Sequence, residues 1–262
     1  MERFRTKISV NFISVLVLIA FAAAWEIISR LGIFNTFYMP PLSLILLKLV
    51  EMFINGEIFP HIVSSLSRIS LGFFAALVLA IPIGVVLGWS KRIYKIFELT
   101  IEILRPIPPI ALIAIAILWL GIGEAPKIFI IGFACFFPIL INTIYGVRGV
   151  DDHLIKSAKM LGASESQIIY KVVIPSALPY IFAGIRVSLA IAFMTLIAAE
   201  MVAANSGLGF LIIFSEQTFR IKEMYATLIS ILLLGSFSAM ILIRIENYFT
   251  RWHKEITLQK AK

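Results

Sequence analysis

Six runs of about twenty apolar residues constrain this chain more than any other feature, because a helix needs about 20 such residues to cross the hydrocarbon core of a bilayer. They lie at roughly 10–31, 67–90, 99–121, 126–147, 177–203 and 224–246. One such run can hide in the core of a soluble protein. Six within 262 residues cannot, because too little polar sequence remains to cover them. Composition agrees: 60% of the residues are hydrophobic and 15% charged, against about 45–50% and about 25% in soluble domains. Lipid offers no partner to backbone N–H and C=O groups, so the runs are expected to be helical. The expected fold is an all-α polytopic membrane protein with six transmembrane helices.

The first run follows MERFRTK, and AFAAAW at 20–25 bears a weak likeness to the cleavage region of a signal peptide. The apolar stretch continues past Trp25 towards Leu31, longer than the usual leader core, and reads as a retained span. The net charge of +8 is distributed by side rather than by face. With the N-terminus inside, the inner segments hold Arg3, Arg5 and Lys7, then Lys91, Arg92 and Lys95. Further along they hold Arg148, Lys156, Lys159 and Lys171, and finally Arg251, Lys254, Lys260 and Lys262. The outer segments hold only Lys48, Lys127, Arg220 and Lys222. The opposite orientation breaks the positive-inside rule, so both termini and residues 148–176 are expected in the cytoplasm. Short basic clusters between apolar runs also argue against a nucleic-acid-binding face. The chain divides into an N-terminal span with an outer interfacial segment (1–66), a core of five spans (67–246) and a cytoplasmic tail (247–262). The core carries a cytoplasmic segment at 151–175 and an outer one at 204–223. In the outer regions, MPPLSLILLKLVEMF and SGLGFLIIFSEQTFRIKE both read as short helices, the second hinged on glycine.

Several spans carry helix breakers. Pro82 precedes Gly84 and Gly88, a small-xxx-small pair that lets two backbones approach closely. Pro138 sits in the fourth span. The third contains RPIPP, and Arg105, Pro106, Pro108 and Pro109 cannot continue a regular helix without loss of backbone hydrogen bonds. In lipid such a break survives where protein or a water-filled cavity satisfies the freed groups, so it reads either as a packing distortion or as part of a solute pathway. Glu26, Arg30, Arg68, Arg186 and Arg244 lie near predicted span ends, where long side chains snorkel. Glu200 is different: a carboxylate late in the fifth span is costly unless paired or wet, so it is either a functional residue or half of a helix-end ion pair. Asn142 and Thr195 are further candidates for a polar path.

The chemistry that is missing narrows the class. There is no GxxxxGK[ST] phosphate loop and no HExxH, and His61, His153 and His253 all lie outside the spans. Gly88-Trp89-Ser90-Lys91 resembles half of an intramembrane serine-protease site and lacks the histidine partner. The single Cys135 excludes an intramolecular disulfide framework. No cofactor or metal site is expected on this chain, which leaves transporters, channels and assembly scaffolds.

Residues 151–175 are built more elaborately than a connecting turn requires. Asp151 and Asp152 are suited to capping a helix that starts near His153. Leu154, Ala158 and Leu161 fall at i, i+4 and i+7 on one stripe, with Lys156 and Lys159 off it. Gly162 allows a reversal, followed by Ala163, and Ser164-Glu165-Ser166-Gln167 has the form of a capping box opening a second helix, which Pro175 is expected to end. The reading is a helix–glycine–helix hairpin on the cytoplasmic face.

Lys156-Ser157-Ala158, then Gly162, then Val172-Val173-Ile174-Pro175 resemble the cytoplasmic signature of ABC-importer permeases, Glu-Ala-Ala-x3-Gly-x9-Ile-x-Leu-Pro. The resemblance extends through RPIPPIALIAIAILWLGIGEAPKIF (105–129), FFPILINTIYGVRGVD (136–151) and AAEMVAANSGLGF (198–210) to the nitrate, sulfonate and taurine branch. It implies a type I importer in a prokaryotic inner membrane. Such an importer has two permease copies forming a homodimer and two separate cytoplasmic ATPases that hold ATP and Mg. An external binding protein delivers the solute. It also implies that Leu154, Lys156, Ser157, Ala158, Leu161, Gly162, Ala163 and Pro175 belong to the ATPase-coupling segment. One departure stands out: Lys156 replaces the signature's glutamate, a reversal of charge. Together with RWHKE (251–255), the resemblance favours a sulfonate such as taurine, with nitrate, a bicarbonate-like anion or a thiamine-precursor pyrimidine as alternatives. The rival class is an ion-driven secondary transporter or channel, which would need no ATPase.

Overall fold

The computed structural model describes residues 2–251, and every regular element among them is helical. The order is α1 (Glu2–Arg30), α2 (Leu42–Ile54), α3 (Phe59–Trp89), α4 (Lys91–Leu104), a 3-10 turn (Pro109–Leu112), α5 (Ile113–Leu120), α6 (Glu124–Arg148), α7 (Asp152–Met160) and α8 (Glu165–Ile168). A π-turn (Ile169–Val173) then leads into α9 (Ile174–Ala203), followed by α10 (Leu208–Gln217) and α11 (Ile221–Phe249).

Four helical stretches among the described residues are long and apolar enough to cross a membrane: Phe59–Trp89, Glu124–Arg148, Glu165–Val202 and Ile221–Phe249. They contain the second, fourth, fifth and sixth runs. The third run, expected as one span over 99–121, is instead two pieces. Lys91–Leu104 and Pro109–Leu120 meet at 84°, because Pro106, Pro108 and Pro109 cannot supply the amides that a continuous helix needs. The first run lies in α1; its opening residues fall outside the side chains described. Most of the tail expected at 247–262 also lies outside the described residues.

The chain forms two compact units, Met1–His61 with Leu211–Ile231, and Ile62–Phe210 with Leu232–Lys262. In the first, Glu26 accepts hydrogen bonds from the Ser43 N–H (3.0 Å) and hydroxyl (2.8 Å) and pairs with Arg30 at 2.6 Å. Because α2 starts after Pro41 without a capping side chain of its own, this carboxylate serves an otherwise unpaired amide at its N-terminus. Lys48 of α2 bridges Glu51 (3.1 Å) and Glu223 (3.2 Å). Burial pulls its pKa down, but the two carboxylates outweigh that and hold it above the ordinary lysine range.

The second unit is organised around α6. On one side, Gly84 and Gly88 of α3 lie so close that an added Cβ would stand 2.7 Å from Thr143 and 2.6 Å from Val147. On the other, Gly184 of α9 meets Asn142 in the same way. The small-xxx-small pair thus does what such pairs do in lipid, where close van der Waals contact replaces the hydrophobic effect as the force between helices. Pro82 and Pro138 sit inside α3 and α6 without ending them. Beside the second, Asn142 donates to the Pro138 carbonyl at 2.8 Å.

Candidate coupling surface and translocation path

The 151–175 segment assembles from local signals. The Asp151 carboxylate accepts from the His153 N–H (2.8 Å) and starts α7. Gly162 stands at φ +79° after the last turn. Its N–H reaches the Lys159 carbonyl (3.0 Å) and the Ala163 N–H reaches Ala158 (3.1 Å). This is the paired closure of a glycine-terminated helix. Ser164 and Gln167 then form both bonds of a capping box.

Ile155 and Ala158 turn inward onto the apolar core of the unit. Leu154 and Leu161 point away, and Leu161, with its neighbour Met160, is almost fully exposed at 88% and 89%. Lys156 and Ser157 are exposed, and among the described residues Lys156 makes no ion pair. The expectation that Pro175 ends the second helix is not met. The chain runs on from Glu165 to Val202 as one helical stretch. The π-turn before Pro175 explains this: Ile174 bonds back five residues to Ile169. That register leaves out one ordinary bond where proline has no N–H to give, and the wider turn makes room for its ring.

The proline break brings three of the candidate path residues together. Arg105, Pro109 and Asn142 line one cavity of about 390 Å³, walled by Phe137 of α6 and Ile191 of α9. Pro106 and Pro108 lie in the break itself. A smaller cavity of about 60 Å³ adjoins it through Arg105 and Ile141 and adds Glu98 and Glu102. A third, of about 440 Å³, adjoins through Tyr94 and Glu98 and adds Lys91, Lys95, Arg148 and Asp152. In it the Arg148 guanidinium stacks 3.6 Å above the Tyr94 ring. The three share lining residues and form a line of cavities carrying charged side chains, from the proline break to the base of α7. The signal for it was present: Lys91, Lys95, Glu98 and Glu102 recur at helical spacing and mark a polar stripe rather than the start of a span.

Thr195 and Glu200 do not join this line. Glu200 is fully buried. Its carboxylate pairs with Arg68 at 2.6 Å and accepts from the Ser65 hydroxyl and the Gly209 N–H, both at 2.8 Å. Arg68 also binds the Ser206 carbonyl at 2.6 Å and both oxygens of Glu124, which in turn pairs with Lys127 at 2.9 Å. The cluster ties α3, α6, α9 and the start of α10 together. Gly207, at φ +119°, passes so near that any Cβ would overlap the Glu200 carboxylate. Arg68 therefore does not snorkel. Its helix starts at Phe59 rather than near 67, which puts the guanidinium within the bundle, only 2% exposed.

Residues 80–251 match the family model described as "Binding-protein-dependent transport system inner membrane component". The chain is 33% identical to the taurine transport system permease protein TauC of Escherichia coli (strain K12) over 237 residues, 88% of this chain and 86% of that one. It is 35% identical to the putative aliphatic sulfonates transport permease protein SsuC of Bacillus subtilis (strain 168) over 230 residues, 88% and 83% of the two chains. In three dimensions it resembles an inward-facing form of the MetNI methionine ABC transporter, with a TM-score of 0.64, 20% identity and coverage of 72% of this chain and 94% of that one. The chain belongs to the binding-protein-dependent transport system inner membrane components, the permease subunits of ABC importers.

Proposed function

We propose that this chain is the transmembrane permease of an ATP-driven importer for a small anion, taurine or another sulfonate, in a prokaryotic inner membrane. The observation that carries the mechanism is the α7–α8 hairpin. It is rigidly capped at both helix ends, anchored on the core through Ile155 and Ala158, and offers an exposed apolar tip at Met160 and Leu161. Capping removes local freedom, so a push on the tip moves the hairpin as a body. Its rear is continuous with α9, which passes the motion into the membrane. The chain supplies no phosphate loop, so the nucleotide-driven movement comes from separate ATPase subunits docked on this tip. A second permease copy, an external binding protein, six spans and cytoplasmic termini complete the reading.

Similarity to taurine and sulfonate permeases over most of the chain supports the cargo class, and the line of cavities from Arg105 and Asn142 to the base of α7 supports a route. Lys156 meets an acidic group on its ATPase in place of the family's glutamate; unchanged ATPase association and transport in Lys156→Glu would refute that contact. The deciding experiment reconstitutes the permease with its ATPase and binding protein in liposomes and follows labelled taurine and nitrate. Uptake of taurine that requires ATP and the binding protein is the expected result, with Arg105→Gln reducing it by tenfold or more. Preferential uptake of nitrate overturns the cargo, and solute movement by the chain alone without ATP overturns the importer.

A further inference from the structure

Arg105 borders two cavities of opposite electrostatic character. In the larger, of about 390 Å³, it is the one charged side chain among the described lining residues, with Asn142 and the apolar wall of Phe137. Asn142 gives one amide N–H to the Pro138 carbonyl and keeps a second to donate. That side suits an anion. The smaller cavity, of about 60 Å³, sets the same arginine against Glu98 and Glu102, with Tyr94 and Tyr145 completing the wall. Two carboxylates outnumber one guanidinium there, so this side repels a lone anion and suits a cation. Glu98 also borders the cavity of Lys91 and Lys95, whereas Glu102 borders only the small one of these three. Glu102 and Arg105 stand one turn apart, because Arg105 keeps helical backbone angles at the end of α4. Side chains at that spacing are within pairing reach, yet among the described residues neither makes an ion pair. Both charges are open to a third group.

We infer that the permease itself reads both charges of an aminosulfonate. The sulfonate lies on the Arg105–Asn142 side, the ammonium enters the small cavity beside Glu102, and Glu102 is the specificity-determining residue. This rests on the sulfonate-import reading above and adds a second charge to it. The small cavity is well above the roughly 10–15 Å³ that one water-sized group needs, so an ammonium fits. Cβ atoms one helical turn apart are about 5–6 Å from each other, a gap that a sulfonate and an ammonium joined by two methylenes can bridge. Taurine has that constitution. Nitrate brings no cation to answer Glu102, and an alkanesulfonate sets an apolar end against its carboxylate. Discrimination of this kind is stronger than an apolar wall gives, because the analogue leaves a polar group of the site without its partner.

The test compares taurine with isethionate, in which a neutral hydroxyl replaces the ammonium. The full-length permease, assembled with its ATPase in nanodiscs and without binding protein, is titrated with labelled taurine and with labelled isethionate. Wild type is expected to bind taurine at least tenfold more tightly than isethionate. Glu102→Gln should weaken taurine at least tenfold and leave isethionate within twofold, which also shows that the variant is folded. Glu102→Asp should keep part of the preference, and Arg105→Gln should weaken both ligands. Equal affinity of wild type for the two sulfonates, or taurine binding by Glu102→Gln within twofold of wild type, overturns the ammonium site. Equal weakening of both ligands in Glu102→Gln also overturns it, because Glu102 then acts only on the shape of the site. The liposome uptake assay separates the two readings. If taurine uptake persists while these affinities fail to discriminate, the ammonium site falls and the cargo stands; if taurine is not taken up, the cargo falls and the ammonium site with it.

Discussion

Replacing Arg68 by methionine isolates what the buried cluster contributes. The change keeps a flexible, unbranched side chain, shorter than arginine's, and removes the charge. Glu124 loses one cationic partner, but it keeps Lys127 and its side chain is 56% exposed, so that loss falls in the range of surface pairs, about 0–1 kcal/mol. Glu200 has no such relief. It is 0% exposed and is left with neutral donors, among them the Ser65 hydroxyl and the Gly209 amide. Removing one partner of a buried ion pair costs about 3–5 kcal/mol, so nearly the whole penalty should arise at Glu200. The double variant Arg68→Met/Glu200→Gln deletes the stranded charge. The amide can still serve the Gly209 N–H, so the double variant should recover about half or more of the loss. Equilibrium unfolding in mixed SDS–detergent micelles measures both, and the cycle with Glu200→Gln alone isolates the coupling. If Arg68→Met costs less than about 1 kcal/mol, or the double variant is no more stable than the single one, the cluster is not a buried lock and the reasoning fails.

Other consequences follow from neighbouring features. Gly88→Val should cost about 1–3 kcal/mol by overpacking, since its Cβ would lie 2.6 Å from that of Val147; thermal unfolding of the detergent-solubilised protein reads the loss. Leu161→Asp should leave stability within about 0.5 kcal/mol, as surface changes do, while lowering co-purification of the ATPase at least tenfold. Lys48 has a folded pKa raised above its unfolded value, so its contribution is fully present below the unfolded pKa and is lost as pH rises through the folded one. An alkaline unfolding series should therefore show a drop above the ordinary lysine range that is smaller in Glu223→Gln.

The elements legible in the sequence were those with local causes. The Asp151 cap, the Gly162 reversal and the Ser164–Gln167 box each need only residues within a few positions of one another, and all three form as their spacing implies. The apolar runs were legible because lipid tolerates helices and little else. Pro175 was misread because a proline announces a missing amide but not whether the helix around it can change register to do without one. The break in the run at 99–121 was legible in RPIPP; its 84° bend and the amphipathic stripe of α4 upstream were not, because hydropathy averages over both.

The sequence by itself determined that this chain lies in a membrane as helices, where a capped helical hairpin stands and which family motifs it carries, because each depends on composition or on neighbours along the chain. Only the tertiary structure decided that Arg68 and Glu200 are partners, 132 positions apart. It alone put Arg105 and Asn142 on one cavity and gave α4 a charged side and an apolar side. Those are properties of which helices touch α6 and at what height, and in lipid that is set by glycine-scale shape matching between distant segments, which no local pattern encodes.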